Sequence, residues 1–125
     1  MSRPQLIPGP DHPITVEPSG VRVVVRAGER VVADTTEALA LQESTYPVVY
    51  YVPLADVDQS LLERTEHATY CPYKGDASYY SVVTPEGALD NAVWSYEEPY
   101  EAVAPIAKRV AFYPDKLEIT VVSVQ

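Results

Sequence analysis

Two short apolar runs, VRVVVRA and RVVAD, stand on either side of Gly28-Glu29 in this 125-residue chain. Val21, Val23 and Val25 alternate with Arg22, Val24 and Arg26, so one face of an extended strand is apolar and the other carries charge. A glycine at the junction supplies the positive φ of a tight hairpin turn. The pair reads as an antiparallel hairpin with one buried face, and that face needs a covering layer.

Further runs follow the same logic. YPVVYYVP, bounded by Pro47 and Pro53, is rich in β-branched and aromatic residues and too short for a stable helix, which predicts a buried strand. Ala77 to Thr84 and Asn91 to Tyr96 flank Pro85-Glu86-Gly87 and predict a second hairpin. RVAFY and LEITVV, joined across Pro114-Asp115-Lys116, predict a third. TEALALQE favours a short helix capped by Thr35 or Thr36, although Leu39 and Leu41 also alternate as a strand would. A turn is expected at Leu54 to Val57, with Asp58 or Ser60 bonding backbone groups, and then a loop carrying the motif described below. EEPYEAVAPIA should be a loop or a single helical turn. The sum is a mainly β fold of six to seven strands with little helix, a small antiparallel barrel or sandwich.

Five of the twelve prolines fall within the first eighteen residues, where fixed φ angles and missing N–H donors disfavour helix and central strand alike. Residues 1–20 therefore read as a proline-rich arm, and 21–125 as one β-rich domain. The length suits a single hydrophobic core.

Eighteen acidic side chains against nine basic ones leave a formal charge of -9, a field that repels phosphate backbones, so no nucleic-acid partner is expected. One cysteine cannot form an internal disulfide, and MSRPQLIPGP lacks the apolar stretch of a secretion signal. The longest apolar run, Val48 to Val52, falls far short of the roughly 20 residues that cross a bilayer, so no membrane is expected and the cytoplasm fits best.

Chemistry-bearing residues gather in HATYCPYKGDASYYSV, from His67 to Val82. It holds the only cysteine, one of two histidines, the first of three lysines and four of ten tyrosines. Cys71 with His67 is the candidate nucleophile and base, although most lone cysteines are small core residues. A structural zinc site needs four nitrogen or sulfur ligands, more than this segment offers, so no metal or cofactor is expected. Lys74-Gly75 pairs a scarce cation with a residue that permits close backbone approach, suited to holding a phosphate or carboxylate, but the P-loop pattern is absent. Tyr70, Tyr73, Tyr79, Tyr80, Trp94 and Tyr96 are candidate walls of an aromatic pocket, each also at home in a core. Glu97, Glu98 and Glu101 beside them read either as acids tuned by burial or as a solvated loop.

Three blocks, YPVVYYVPLADV, TYCPYKGDASYYSV and AVWSYEEPYEAVAPIAKRVAFYPDKLEI, closely resemble the bacterial family called domain of unknown function 427. GPDHPITVEP and RVVADT look like its actinobacterial members, and the resemblance implies a small, mostly β domain. Some labels of that family carry a nucleotidyltransferase name. Nucleotidyl transfer needs a glycine-serine turn with paired carboxylates around magnesium, and the sequence presents no such constellation.

The reading favoured is a binding protein in which Tyr70, Tyr73, Lys74, Gly75, Tyr79, Trp94 and Tyr96 surround a small metabolite, with an anionic one among the candidates. The rivals are an enzyme using Cys71 with His67 or a nearby glutamate, and a non-catalytic interaction module. Self-association is left open. The favoured reading requires the Cys-Pro-Tyr-Lys and Trp-Ser-Tyr segments to wall one hollow.

Overall fold

The computed structural model describes residues 4–123. Ten strands make up most of it: β1 (Ile14–Pro18), β2 (Val21–Ala27), β3 (Arg30–Thr35), β4 (Leu39–Glu43), β5 (Val49–Pro53), β6 (Leu62–Cys71), β7 (Gly75–Thr84), β8 (Gly87–Ser95), β9 (Arg109–Phe112) and β10 (Glu118–Ser123). They form two open antiparallel sheets, one of seven strands in the order β1-β4-β5-β9-β8-β7-β6 and one of three in the order β10-β2-β3. The layers are sandwich-like, and neither sheet closes into a barrel. No helix among the described residues is long and apolar enough to cross a membrane.

The hairpins at Gly28-Glu29 and Pro85-Glu86 form as the sequence predicts, with Ala27 opposite Arg30 and Thr84 opposite Gly87. Gly28 has φ +60°, the left-handed geometry that the tight turn requires. Val23 and Val25 face inward, and Val24, expected on the outer face with the arginines, is buried as well. β2 is the central strand of its sheet, flanked by Thr120 and Asp34 at the Val24 level, so even its outer side is largely shielded.

Four expectations are corrected. TEALALQE is not helical: Leu39–Glu43 is β4, held between β1 and β5. Helix propensity is a weak preference, and two flanking ladders with Leu41 buried beneath them override it. The motif segment is not a loop up to Lys74, because β6 runs to Cys71 and only Pro72 to Lys74 turn. β6 escaped notice because it is an edge strand, with mostly exposed side chains and little apolar alternation. RVAFY and LEITVV form strands but do not pair with each other. β9 already has β5 on one edge and β8 on the other, so β10 crosses to β2 instead. With β1, β4 and β6 added, the count rises from six or seven to ten.

Two apolar clusters lie on opposite faces of the large sheet. Val52, Val82, Val93, Val110 and Phe112 meet Val23, Val25 and Val32 of the small sheet. On the other face Leu41, Tyr51, Ala77, Tyr79, Tyr96 and Ala111 are joined by Val103 and Ile106 of a 3-10 segment, Glu101–Ile106. Alternation along each strand produces this split: Val52 and Tyr51, or Val93 and Trp94, point to opposite sides.

The first residues lie along the domain. Leu6 N–H donates to Pro72 O at 2.9 Å, Ser44 N–H donates to Pro13 O at 2.7 Å, and β1 pairs with β4 at the edge of the large sheet.

Candidate functional site

β5 and β9 share only two residue pairs, Val52 with Val110 and Pro53 with Arg109. Before Val52 and beyond Val110 the strands part. Val49, Tyr50 and Tyr51 on one side and Phe112, Tyr113 and Pro114 on the other border a cavity of about 560 Å³. Val23, Val25 and Ile119 of the small sheet close one side, and Leu41, Tyr79, Trp94 and Tyr96 the other. Exposed Tyr46, Pro47 and Val48 stand at its edge.

The lining is apolar except at one end, where Glu43 and Lys74 meet as an ion pair. Glu43 ends β4 on the same strand face as Leu41, and Lys74 closes the turn between β6 and β7. The two side chains are 14% and 11% exposed, so water screens the pair less than it would a surface pair. The other Glu43 oxygen lies 2.7 Å from His12 Nε2. Burial works to raise the Glu43 pKa, but the hydrogen bonds from Lys74 and His12 outweigh it and hold the carboxyl below its usual value. The His12 ring stacks on Tyr73 with centroids 4.2 Å apart, and the Lys74 ammonium lies 5.8 Å from the centre of the Tyr96 ring.

Phenols and an indole provide the cavity's other polar atoms. Trp94 Nε1 donates to the Tyr51 hydroxyl at 3.3 Å. Burial pushes the Tyr51 and Tyr96 phenols well above their ordinary pKa, so both stay neutral. Tyr113, pushed up to about 12 by burial and by its contact with Tyr79, donates to the Tyr79 hydroxyl at 3.5 Å.

Lys74, Tyr79, Trp94 and Tyr96 thus share one cavity, which brings the two motif segments together. The other expected pocket residues stand behind it. Tyr70 bonds the Tyr100 hydroxyl at 2.6 Å and the Pro4 carbonyl at 2.5 Å. Tyr73 supports His12. Gly75 has φ +110°, and a Cβ there would sit 3.4 Å from the Glu98 carbonyl oxygen. Its bare backbone lets the chain from Glu98 to Tyr100 lie against the turn, where Tyr100 N–H donates to Lys74 O at 3.0 Å.

Cys71 is half-buried against the aromatic cluster, whereas His67 is exposed and meets the Tyr79 ring edge-on at 4.4 Å. Four residues of extended strand separate them by roughly 13 Å, beyond hydrogen-bond reach. Glu97 is bound on the surface by Arg64 at 2.7 Å and Ser78 at 2.8 Å, and Glu98 and Glu101 are exposed. Tyr80 packs against the opposite, valine-rich cluster. No group of three or more His, Cys, Asp or Glu among the described residues is placed to hold a metal.

Glu43, His12, Tyr51 and Tyr113 were not singled out from the sequence. The strand-like alternation of Leu39, Leu41 and Glu43 is the one signal in the sequence that sets Glu43 on the inward face. Nothing near His12 signals a partner 31 residues away.

No curated protein matches the chain. A family model described as Domain of unknown function (DUF427) matches residues 15–123, which include every strand except the first residue of β1. The chain belongs to that family.

Proposed function

We propose that the domain binds a small, largely apolar molecule in the cavity between β5 and β9, with one polar group of the guest against the Glu43–Lys74 pair. The observation that carries this reading is the cavity itself. Its volume of about 560 Å³ is in the range of small-molecule sites, and its apolar walls converge on a few fixed polar atoms. The Lys74 charge is already answered by Glu43, so the polar end is balanced, which favours a neutral hydrogen-bonding group over an anion. A lone thiol suits the reducing cytoplasm.

The experiment is a thermal-shift screen of neutral metabolites run in parallel on the wild type and Val49→Phe. Val49 lines the cavity and is half-buried, so a larger ring there fills space. Ligands that raise the melting temperature of the wild type by mass action should lose that effect in the filled variant. Hits that stabilise both proteins equally would place binding elsewhere and refute the reading.

A further inference from the structure

A second hollow, of about 340 Å³, lies beyond Tyr79 and Tyr113, and these two tyrosines also line the aromatic cavity. Their rings are nearly parallel, 9° apart with centroids separated by 6.5 Å, and form a partition common to both spaces. The new side is polar: His67, Asn91, Asp115 and Lys116 complete its lining.

Two interruptions of the β ladder build this hollow. Arg64 faces Tyr80 and Ala68 faces Ser78, so three residues of β6, ending at His67, stand opposite Tyr79 alone. On the other side of β7, Val93 faces Tyr80 and Leu89 faces Val82, so Asp90, Asn91 and Ala92 stand opposite Ser81. Asn91 adopts φ +50°, an uncommon conformation for a residue other than glycine. Bulges re-aim side chains, and here one on each neighbour of β7 brings His67 and Asn91 to the same hollow. Thr65 ties the two together, donating to Asn91 Oδ1 at 2.6 Å while accepting from His67 N–H at 3.2 Å.

This arrangement leaves both donors and acceptors available. With Asn91 Oδ1 occupied by Thr65, its amide NH₂ donates no hydrogen bond to another described residue, and the Asp115 carboxylate accepts none from one. Lys116 Nζ donates to Asp90 O at 2.5 Å and retains further N–H groups. One carboxylate and one ammonium balance each other, so the hollow suits a group that both donates and accepts without net charge.

We infer that this hollow is a polar subsite for the hydroxyl-bearing head of an amphiphile, such as a glycoside, whose apolar body occupies the aromatic cavity. The inference rests on the cavity-binding reading and names the ligand class. Tyr79 and Tyr113 line both spaces and so lie at the junction of body and head, with Tyr113 half-buried between them.

Paired titrations test this, using 1-hexanol for the body alone and hexyl β-glucoside below its micelle concentration for body and head. The readout is the fluorescence of Trp94, the single tryptophan, in the cavity wall. The glucoside should bind about tenfold more tightly than hexanol. Asn91→Gly, which keeps the positive φ accessible, and Asp115→Ala, at an exposed site, should each cut the advantage to about twofold or less and leave hexanol binding unchanged. A glucoside no tighter than hexanol, or an advantage retained in both variants, would overturn the subsite while hexanol binding upheld the cavity. If hexanol fails to bind the folded protein, the cavity reading falls and takes the subsite with it.

Discussion

Glu43 and Lys74, 31 residues apart in the chain, meet as an ion pair at the polar end of an otherwise apolar cavity. One ends a strand of the large sheet and the other closes a hairpin turn, so their contact ties the turn to the sheet. His12 on the second Glu43 oxygen extends that tie to the N-terminal arm.

Removing one partner strands the other where water is scarce. Lys74→Met should lower stability by about 2 kcal/mol, because a mostly buried carboxylate then keeps only His12 to offset its desolvation penalty. The double variant Glu43→Gln/Lys74→Met should recover much of that loss. Urea denaturation measures both. The exposed Arg22–Asp34 pair provides the control, and Arg22→Ala should leave stability nearly unchanged. Equal losses for Lys74→Met and Arg22→Ala would contradict this account.

The Glu43 carboxyl is held below its usual value in the folded state, so it contributes stability that is fully present above its unfolded pKa near 4.5. That contribution disappears as pH falls through the lower folded value. Asp34 and Glu97 are also held low by their arginines, but on the surface, where salt weakens the effect. In about 0.5 M salt, Glu43→Gln should therefore flatten the decline of stability below pH 4.5. An unchanged acid limb in the variant would count against the assignment.

Tyrosine ionisation reports the cavity wall at the other end of the pH scale. Tyr51, Tyr96 and Tyr113 have raised folded pKa values, so their contribution is complete below the unfolded value near 10 and is lost as pH rises through the folded ones. In the native protein, Tyr113→Phe should leave the phenolate absorbance change between pH 9 and 11 unaltered. A reduced amplitude over that interval would show that Tyr113 titrates normally.

Gly75→Ala tests the close approach behind Lys74. Its positive φ and the Glu98 carbonyl 3.4 Å from the new methyl should together cost about 1–2 kcal/mol. Gly9→Ala, where a Cβ meets nothing within 4 Å, should be near neutral. Thermal unfolding of the two variants side by side gives the comparison, and matching melting temperatures would refute it.

Strands with an apolar face announced themselves in the sequence. The valines of β2 and β3 and the Pro47-to-Pro53 run could be read directly, because alternation or enclosure by prolines leaves few other choices. β6 could not, since an edge strand exposed to water needs no apolar pattern, and β4 was hidden by alanine and leucine, which serve helix and strand alike. The failed pairing of β9 with β10 is a different case. Local turn chemistry says where a chain reverses, but partner choice depends on which edges are already taken. At the site, Lys74, Tyr79, Trp94 and Tyr96 stood out by scarcity or aromatic character. Glu43 did not, being one of many acids, and His12, though one of two histidines, carries no local pattern pointing to a partner 31 residues away.

The two-pair seam between β5 and β9 has a mechanical consequence. Where those strands diverge there is no β5–β9 ladder to break, so widening the slit would leave the ladders on either side intact. Past Val52 and Val110 each strand is held from one side only, β5 by β4 and β9 by β8, so the large sheet stays continuous through its outer neighbours while its middle carries a gap.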